Sequence, residues 1–234
     1  MRFYISDLHF FHENLLNDMD KRGFNSLNDM HDYMISKWNS RVQKNDEVVI
    51  LGDLSMGKSK ETAEIVAALN GKKCLIEGNH DHRYLDDSKF DRDLFSWITP
   101  YKRMKDDKRT VILSHYPIIC HDAQFHKDKE GNPKTYMLYG HVHDTFDEFL
   151  VNRFINEMRA SLRPVKNSDS PVNTPCNMIN CFCMYSDYTP LSLDEWIKVD
   201  QVRRSMIKEE DYMEFNNTVK SDIYLEGIDL MARY

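Results

Sequence analysis

Short apolar runs alternate with stretches of helical period along most of the chain. Runs rich in Val, Ile, Leu, Phe and Tyr that end abruptly in polar residues are predicted to be strands. These runs are Phe3 to Ser6, Glu47 to Leu51, Lys73 to Glu77, Thr110 to Ser114, Tyr136 to Tyr139 and Asn180 to Tyr185. Within the last run, Cys181 and Cys183 alternate with other residues, so period two predicts that both lie on one face of a strand.

Four segments have the pattern of helices. From Ser26 to Val42, apolar residues recur at steps of three or four behind a serine cap. The others are Ser59 to Leu69, about Glu148 to Leu162, and a helix that starts at Ser192, where Ser-Leu-Asp-Glu matches a capping box. The alternation predicts a layered α/β core. The stretch Ile98 to Ser114 predicts a hairpin, and therefore a mixed sheet.

The chain has 234 residues, which is enough for one large domain with a smaller appendage. We predict a single domain over residues 1–205 and a C-terminal extension over residues 206–234, where charged residues mix with scattered aromatic ones. Residues Arg163 to Asn177 contain three prolines and several Ser, Asn and Asp residues, which predicts a long loop inside the domain.

Composition narrows the classes of function. No apolar run approaches the roughly 20 residues that span a bilayer, and no secretory signal pattern opens the chain. Five cysteines without a CxxC pair fit neither a disulfide framework nor a zinc finger. We therefore expect a cytoplasmic protein with reduced cysteines. The net charge of -7 argues against a nonspecific grip on duplex DNA, although bound divalent cations would still permit an anionic substrate.

Residues of the metal-binding types follow five of the strand candidates. The strand ends lead into Asp7 and His9, Asp53, Asn79, His115, and His141 with His143. Ligands of α/β proteins bind in the crevice outside the carboxyl ends of the strands, so these side chains are expected to converge there. Gly52, Gly78 and Gly140 stand directly before ligand-type residues and permit a sharp turn or a close backbone approach.

The donor types indicate which ions suit such a site. Carboxylate, amide oxygen and imidazole without sulfur suit Mn, Fe, Zn or Ni. Seven residues, with one carboxylate shared, are enough for a centre of two divalent ions, and we choose Asp53 as the bridge. Each short motif alone is commonly a turn. The prediction therefore depends on five motifs that occur together, each behind an apolar run.

These motifs resemble the signature of the calcineurin-like metallophosphoesterases, and the likeness is closer to the small bacterial and phage members. The signature is DxH, GD, GNH followed by Asp or Glu, a later His, and GHxH. The matching segments are SDLHFFHEN at 6–14, the KWNSRV stretch ending at Val42, LGD at 51–53, LIEGNHD at 75–81, LYGHVHD at 138–144 and the SDYTPLSLDEW stretch ending at Trp196. The resemblance covers about residues 1–196. It implies a four-layer α/β/β/α sandwich with mixed sheets and hydrolysis of phosphate esters at a dinuclear metal site.

The resemblance also implies roles for individual residues. One metal would be held by Asp7, His9 and His143, and the other by Asn79, His115 and His141, with Asp53 between them. A hydroxide that bridges the metals would be the nucleophile. His80 would face the substrate, where it protonates the departing alkoxide or binds a phosphoryl oxygen. His80 and Asp53 are therefore the predicted catalytic residues.

Substrate contacts are predicted for Asn79, His12, Asn14 and His121, the last with its neighbours Asp122 and His126. The alternative for His12 and Asn14 is that they open a polar first helical turn, and the alternative for His121, Asp122 and His126 is that they are solvated loop residues. Glu77 stands before the GNH motif, where some family members that act on phosphoproteins carry an arginine. This difference argues against a protein phosphatase.

Two substrate classes and one noncatalytic alternative remain open. Phosphomonoesterases and phosphodiesterases of this family share the metal core, so the motifs favour neither. The short insertion between His115 and Gly140 offers no second domain for gripping DNA, which favours a small soluble ester or diester. The alternative is a noncatalytic scaffold of the same fold that binds a protein partner. Known scaffolds of this fold lose ligands or the substrate-facing histidine, whereas this chain keeps His80.

Overall fold

The computed structural model describes residues 1–164 and 170–207. Its strands are β1 (Arg2–Ile5), β2 (Glu47–Ile50), β3 (Lys72–Ile76), β4 (Phe95–Thr99), β5 (Tyr101–Asp106), β6 (Arg109–Ser114), β7 (Thr135–Tyr139), β8 (Leu162–Arg163), β9 (Val172–Asn173) and β10 (Met178–Asn180). Its α-helices are α1 (Leu27–Arg41), α2 (Ser59–Ala68), α3 (His82–Leu85), α4 (Phe146–Ala160) and α5 (Leu193–Met206). Of the predicted C-terminal extension, residues 208–234 lie outside the described residues.

Two four-stranded sheets form the centre of the molecule. The first has the order β1-β2-β3-β4, and all its pairs are parallel. The second has the order β10-β7-β6-β5, in which the predicted β5–β6 hairpin is antiparallel and the other pairs are parallel. The mixed pairing therefore belongs to the second sheet alone.

Side chains of β6 that point to opposite faces show how the two sheets and the helices are layered. Val111 and Leu113 belong to the large core that also contains the first sheet and the buried side chains of α1 and α2. Ile112 points the other way and joins a second core with Ile155 of α4. Side chains of a strand alternate between its two faces, so the second sheet packs on the first with one face and on α4 with the other. The predicted α/β sandwich with four layers is confirmed.

Local signals set the helix boundaries. Ser26 caps α1, since its Oγ accepts a hydrogen bond from the Asp29 amide at 3.1 Å. The predicted capping box at Ser192 is present, with the Glu195 carboxylate accepting from the Ser192 amide at 2.8 Å. Helix α4 begins at Phe146, earlier than Glu148, because Thr145 caps it through the Asp147 amide.

The strand predicted from Asn180 to Tyr185 is wrong. Strand β10 ends at Asn180, and Cys183–Ser186 form a 3-10 helix. Beyond Cys181 the chain leaves β7: the Cys183 amide donates to the Ser6 carbonyl at 3.1 Å instead of to β7, and the Phe182 amide donates to the Asn180 side-chain oxygen at 3.1 Å. Cys181 and Cys183 are both buried, although they do not share a strand face, and all five cysteines are free.

The segment predicted as a long loop from Arg163 to Asn177 contains one regular feature. Its ends pair as the short antiparallel strands β8 and β9, while residues 165–169 lie outside the described part of the chain. Within residues 1–164 and 170–207, no helix has the length and apolar character needed to cross a membrane.

The outer edge of β1 is covered by a distant part of the chain. The Tyr4 amide donates to the Leu191 carbonyl at 2.8 Å, and the Ser6 amide donates to the Cys181 carbonyl at 2.8 Å. The Trp196 indole of α5 donates to the Tyr4 carbonyl at 2.8 Å. These bonds join the two sheets beside the end of β1, and so they fix the backbone that leads into Asp7.

Candidate metal centre

The carboxyl ends of five strands bring their polar side chains together. Strands β1, β2, β3, β6 and β7 lead into this region. Strands β1, β2, β6 and β7 deliver two groups of possible metal ligands, Asp7 with His9 and His143, and Asp53 with His115 and His141, while β3 leads into Asn79. In each group, one ligand atom from every residue lies within 4.8 Å of the others. Residues as far apart in sequence as Asp7 and His143 therefore meet at one edge of the sandwich.

Asp53, a member of the second group, also approaches the first. Its Oδ2 is 3.4 Å from His9 Nε2 in one group and 3.4 Å from His115 Nε2 in the other. Asn79 adjoins the second group, with its Oδ1 3.0 Å from His115 Nε2. A carboxylate oxygen at equal distances from a histidine of each group has the position that a shared ligand needs.

Much of this centre is built on left-handed backbone. Positive φ angles occur at Asp7 (57°), His9 (50°), Asp53 (53°), His141 (72°) and His143 (47°). Each costs a non-glycine residue on the order of 1–3 kcal/mol, so surrounding bonds must maintain it. The Asp7 carboxylate accepts from the His141 amide at 2.9 Å, and Asp53 Oδ1 accepts from the His80 amide at 2.9 Å. The carboxylates thus fix the loops that carry the histidines.

Two glycines let these carboxylates approach the backbone. A Cβ at Gly78 would lie 2.2 Å from Asp53 Oδ1, and a Cβ at Gly140 would lie 2.5 Å from Asp7 Oδ2. Both distances are far below van der Waals contact. Any larger residue at either position must displace a possible ligand.

Gly78→Ala is expected to weaken the binding of divalent cations by about 10–100-fold, the usual effect of disturbing the residues around metal ligands. The reason is that the new methyl group pushes the Asp53 carboxylate out of place. The matched control is Gly131→Ala, where nothing lies within 4 Å and the φ of +88° makes the change cost stability only. Metal titration measures both, and equal affinities for the two variants would contradict the expected displacement.

Burial and charge set the protonation of the histidines. Burial lowers the pKa of His9, so its ring is neutral, the form that binds metals. Burial would also lower the pKa of His115, but the hydrogen bond to Asp53 and the charge of Asp7 raise it to about 9. Cation binding therefore has to displace a proton from His115. The buried carboxylates compensate the positive charge of that proton, and they would compensate a divalent cation in the same way, so the donor set fits such an ion.

Atoms behind the centre orient the rings and the backbone. His115 Nδ1 donates to the Leu51 carbonyl at 2.8 Å, which directs Nε2 to the centre. The fully buried Asp81 accepts from the amides of Asp53, Leu54 and Gly78 at 2.8–2.9 Å. Burial and the charge of Asp53 raise the pKa of Asp81 to about 6. The last residue of the GNHD motif thus holds the turns that carry Asp53 and Asn79.

The opening of the centre is lined by rings. The His80 side chain is 36% exposed, and its Nε2 is 3.9 Å from Asp53 Oδ2. The ring of His12 lies 6.2 Å from that of His80, and the Tyr116 ring lies 4.6 Å from that of His141. Tyr116 was missed by the sequence prediction, and its only signal is its place directly after His115.

Two of the residues predicted to contact substrate lie elsewhere. Asn14 is exposed in the 3-10 helix Glu13–Leu15. The His121 Nδ1 lies 3.2 Å from the Asp122 carbonyl, and the Asp122 carboxylate pairs with Arg103 at 2.7 Å. Among the residues that the structure describes, neither Asn14 nor His121 makes a hydrogen bond or ring contact with the centre.

Comparison with known proteins relates this geometry to relatives. An uncharacterized protein of Methanocaldococcus jannaschii is 30% identical over 200 residues, which cover 84% of this chain and 89% of that protein. The gene 66 protein of a Mycobacterium phage is 29% identical over 157 residues, which cover 60% of this chain and 77% of the phage protein. A solved structure of a protein of unknown function from Aquifex aeolicus has the same fold, with a TM-score of 0.55, 23% identity, and coverage of 85% of this chain and 98% of that one.

The family comparison covers most of the chain. The sequence model of the calcineurin-like phosphoesterase family matches residues 3–205. This range contains every residue of the candidate centre. The resemblance inferred from the motifs is confirmed by this match. The chain belongs to the calcineurin-like phosphoesterase family.

Proposed function

We propose that the protein hydrolyses a phosphomonoester or phosphodiester of a small soluble compound at a centre of two divalent metal ions. Members of the family are in general metal-dependent phosphoester hydrolases. The observation that carries the proposal is the position of Asp53 Oδ2, which is 3.4 Å from a histidine of each ligand group. A single shared carboxylate between two sets of donors is an arrangement suited to a dinuclear site.

The proposed ligands divide into two sets around Asp53. The first consists of Asp7, His9 and His143, and the second of Asn79, His115 and His141. Oxygen and imidazole donors suit Mn, Fe, Zn or Ni. Bound ions would supply neutralisation of the phosphoryl oxygens and activation of water. The remaining residues of the chain have to hold the phosphate and move the proton of the leaving group.

His80 is the proposed residue for that proton. Its side chain is the exposed one beside Asp53, and its backbone amide is fixed by the Asp53 carboxylate at 2.9 Å. Such a ring can donate a proton to a departing alkoxide or a hydrogen bond to a phosphoryl oxygen. His12 and Tyr116 border the same opening, and we propose that they contact the organic part of the substrate.

We further propose the extent of the domain, the size of the substrate and the location of the protein. Residues 1–205 form the metallophosphoesterase domain, in agreement with the matched range of 3–205. The chain connects β6 to β7 directly through residues 115–134, and its net charge is -7, so a small ester is favoured over duplex DNA. Free cysteines throughout support a location in the cytoplasm.

The experiment that tests the function is hydrolysis of p-nitrophenyl phosphate and bis-p-nitrophenyl phosphate with added Mn, Fe, Zn or Ni. Turnover is expected to require a divalent ion and to stop after treatment with a chelator, because the proposed chemistry depends on the ions. The preferred ester decides between a monoesterase and a diesterase. Full activity after verified metal removal would refute the proposal. Two bound ions without hydrolysis of any ester in a broad panel would instead support the noncatalytic scaffold.

A further inference from the structure

One turn of the chain contacts His143 and the backbone between Asp7 and His9, and these three residues form the first ligand set. It contains Asp20 and Arg22, which lie between the 3-10 helix Glu13–Leu15 and α1. The Asp20 and Arg22 side chains are 2% and 0% exposed. Two buried charged side chains are expensive to maintain unless they are paired and fully bonded, so their contacts require an explanation.

Asp20 contacts His143 directly. His143 Nδ1 donates to Asp20 Oδ1 at 2.7 Å, a short, charge-assisted distance. This bond selects the ring tautomer whose Nε2 is free. His143 Nε2 then faces the other two ligands of the set, at 3.1 Å from His9 Nε2 and 3.6 Å from Asp7 Oδ1. Asp20 therefore aims one ligand atom at the place where the three donors meet.

Arg22 fixes the other two ligands through the backbone. Its guanidinium donates to the Leu8 carbonyl at 2.7 Å and to the Asp7 carbonyl at 2.9 Å. The same group pairs with Asp20 at 2.9 Å. Asp7 and His9 both have left-handed backbone, with φ of 57° and 50°. Bonds from a rigid planar cation to the carbonyls between these residues hold the strained segment in place.

We propose that Asp20 and Arg22 are a positioning pair that presents the first ligand set, Asp7, His9 and His143, to its metal ion. The proposal rests on the proposed function, since it takes this set as one half of a dinuclear site. Among the described residues, no hydrogen bond joins Asp20 or Arg22 to the second set, and His115 is oriented by the Leu51 carbonyl instead. Loss of the pair should therefore weaken one of the two ions selectively.

The test is a titration of the metal-free protein with Mn²⁺ or Zn²⁺ by calorimetry, with elemental analysis of the dialysed protein. Asp20→Asn is the main variant, because it keeps the shape and removes the charge. One ion is expected to bind about 10–100-fold more weakly and the other as in the unchanged protein. The matched control is Asp18→Asn, an exposed carboxylate two positions away, which should bind both ions normally.

Two further variants keep the result interpretable. His143→Ala identifies the weakened ion, since Asp20→Asn combined with His143→Ala should lose less affinity at that site than the sum of the two single losses. Arg22→Lys keeps the charge but not the planar fork, so it should weaken the same ion. It also replaces Asp20→Asn if that variant does not fold, as judged by circular dichroism of the metal-free proteins.

The outcomes separate the two proposals. Equal weakening of both ions, or unchanged binding in the variant that folds, would overturn the positioning pair while leaving the dinuclear centre intact. An unchanged protein that binds fewer than two ions would overturn the proposed function, and the positioning pair with it.

Discussion

Asp53→Asn is expected to lose metal and activity together, with hydrolysis falling on the order of 10³-fold or more. A metal ion contributes several kcal/mol to the stabilisation of a phosphoryl transition state, and each 1.4 kcal/mol is a factor of about ten. The Asp53 carboxylate lies between both ligand sets, and a neutral amide there leaves the repulsion between two cations less compensated. Elemental analysis and the p-nitrophenyl assay measure the two losses.

The control for this experiment is Asp93→Asn, which removes an exposed carboxylate remote from the centre and should change neither quantity. An Asp53→Asn protein that is active and retains the metal content of the unchanged protein would refute the assignment of Asp53 as the bridge. Loss of activity with both ions retained would make Asp53 a catalytic group without a bridging role.

His80→Ala is expected to keep both ions and to lose turnover by about 10²–10⁴-fold, the usual contribution of proton transfer by a positioned side chain. His80 lies at the opening beside Asp53, and it belongs to neither ligand group. His82→Ala is the matched control, because His82 is an exposed histidine two residues further on. Activity and metal content are measured for both variants.

The choice of substrate separates two roles for His80. The alkoxide of an alkyl phosphate leaves poorly without a proton, whereas nitrophenolate needs little protonation, so loss of a general acid slows hydrolysis of the alkyl ester more. Equal losses on both substrates would assign His80 to binding of the phosphoryl oxygens. Unchanged rates on both, with metal still bound, would show that His80 is not catalytic.

Much of the fold could be predicted because its signals are local. Ser26 and Ser192 mark helix starts by chemistry that acts within three residues of the cap. The alternation of predicted strands and helices along the sequence likewise predicted the layered architecture. The strand through Cys181 and Cys183 was wrong because the Cys183 amide bonds to Ser6, directly after β1, and the Phe182 amide bonds to the Asn180 side chain, so the chain turns away from β7. The alternation of apolar residues in the sequence gives no information about such hydrogen bonds.

The convergence of the candidate centre could be predicted for the residues that directly follow a strand. A residue that follows a parallel strand is delivered to a known edge, so the types of Asp7, Asp53 and His115 already indicated convergence. Asp20 was missed because its contact with His143 spans 123 residues and no periodicity connects them. The left-handed backbone of the ligands was missed as well, since it is maintained by tertiary bonds and contradicts local preference.

The covered edge of β1 has a consequence for the order of events during synthesis. Residues 2–9 leave the ribosome well before the groups that secure them, which lie near the end of the described chain. Cys183 Sγ donates to the Asp7 carbonyl at 3.2 Å across 176 residues, and Trp196 reaches Tyr4 across 192. Because chains emerge N-terminus first, the first ligand set stays unfinished until α5 has been translated. If this set binds the proposed metal ion, it is expected to do so only after α5 has been made.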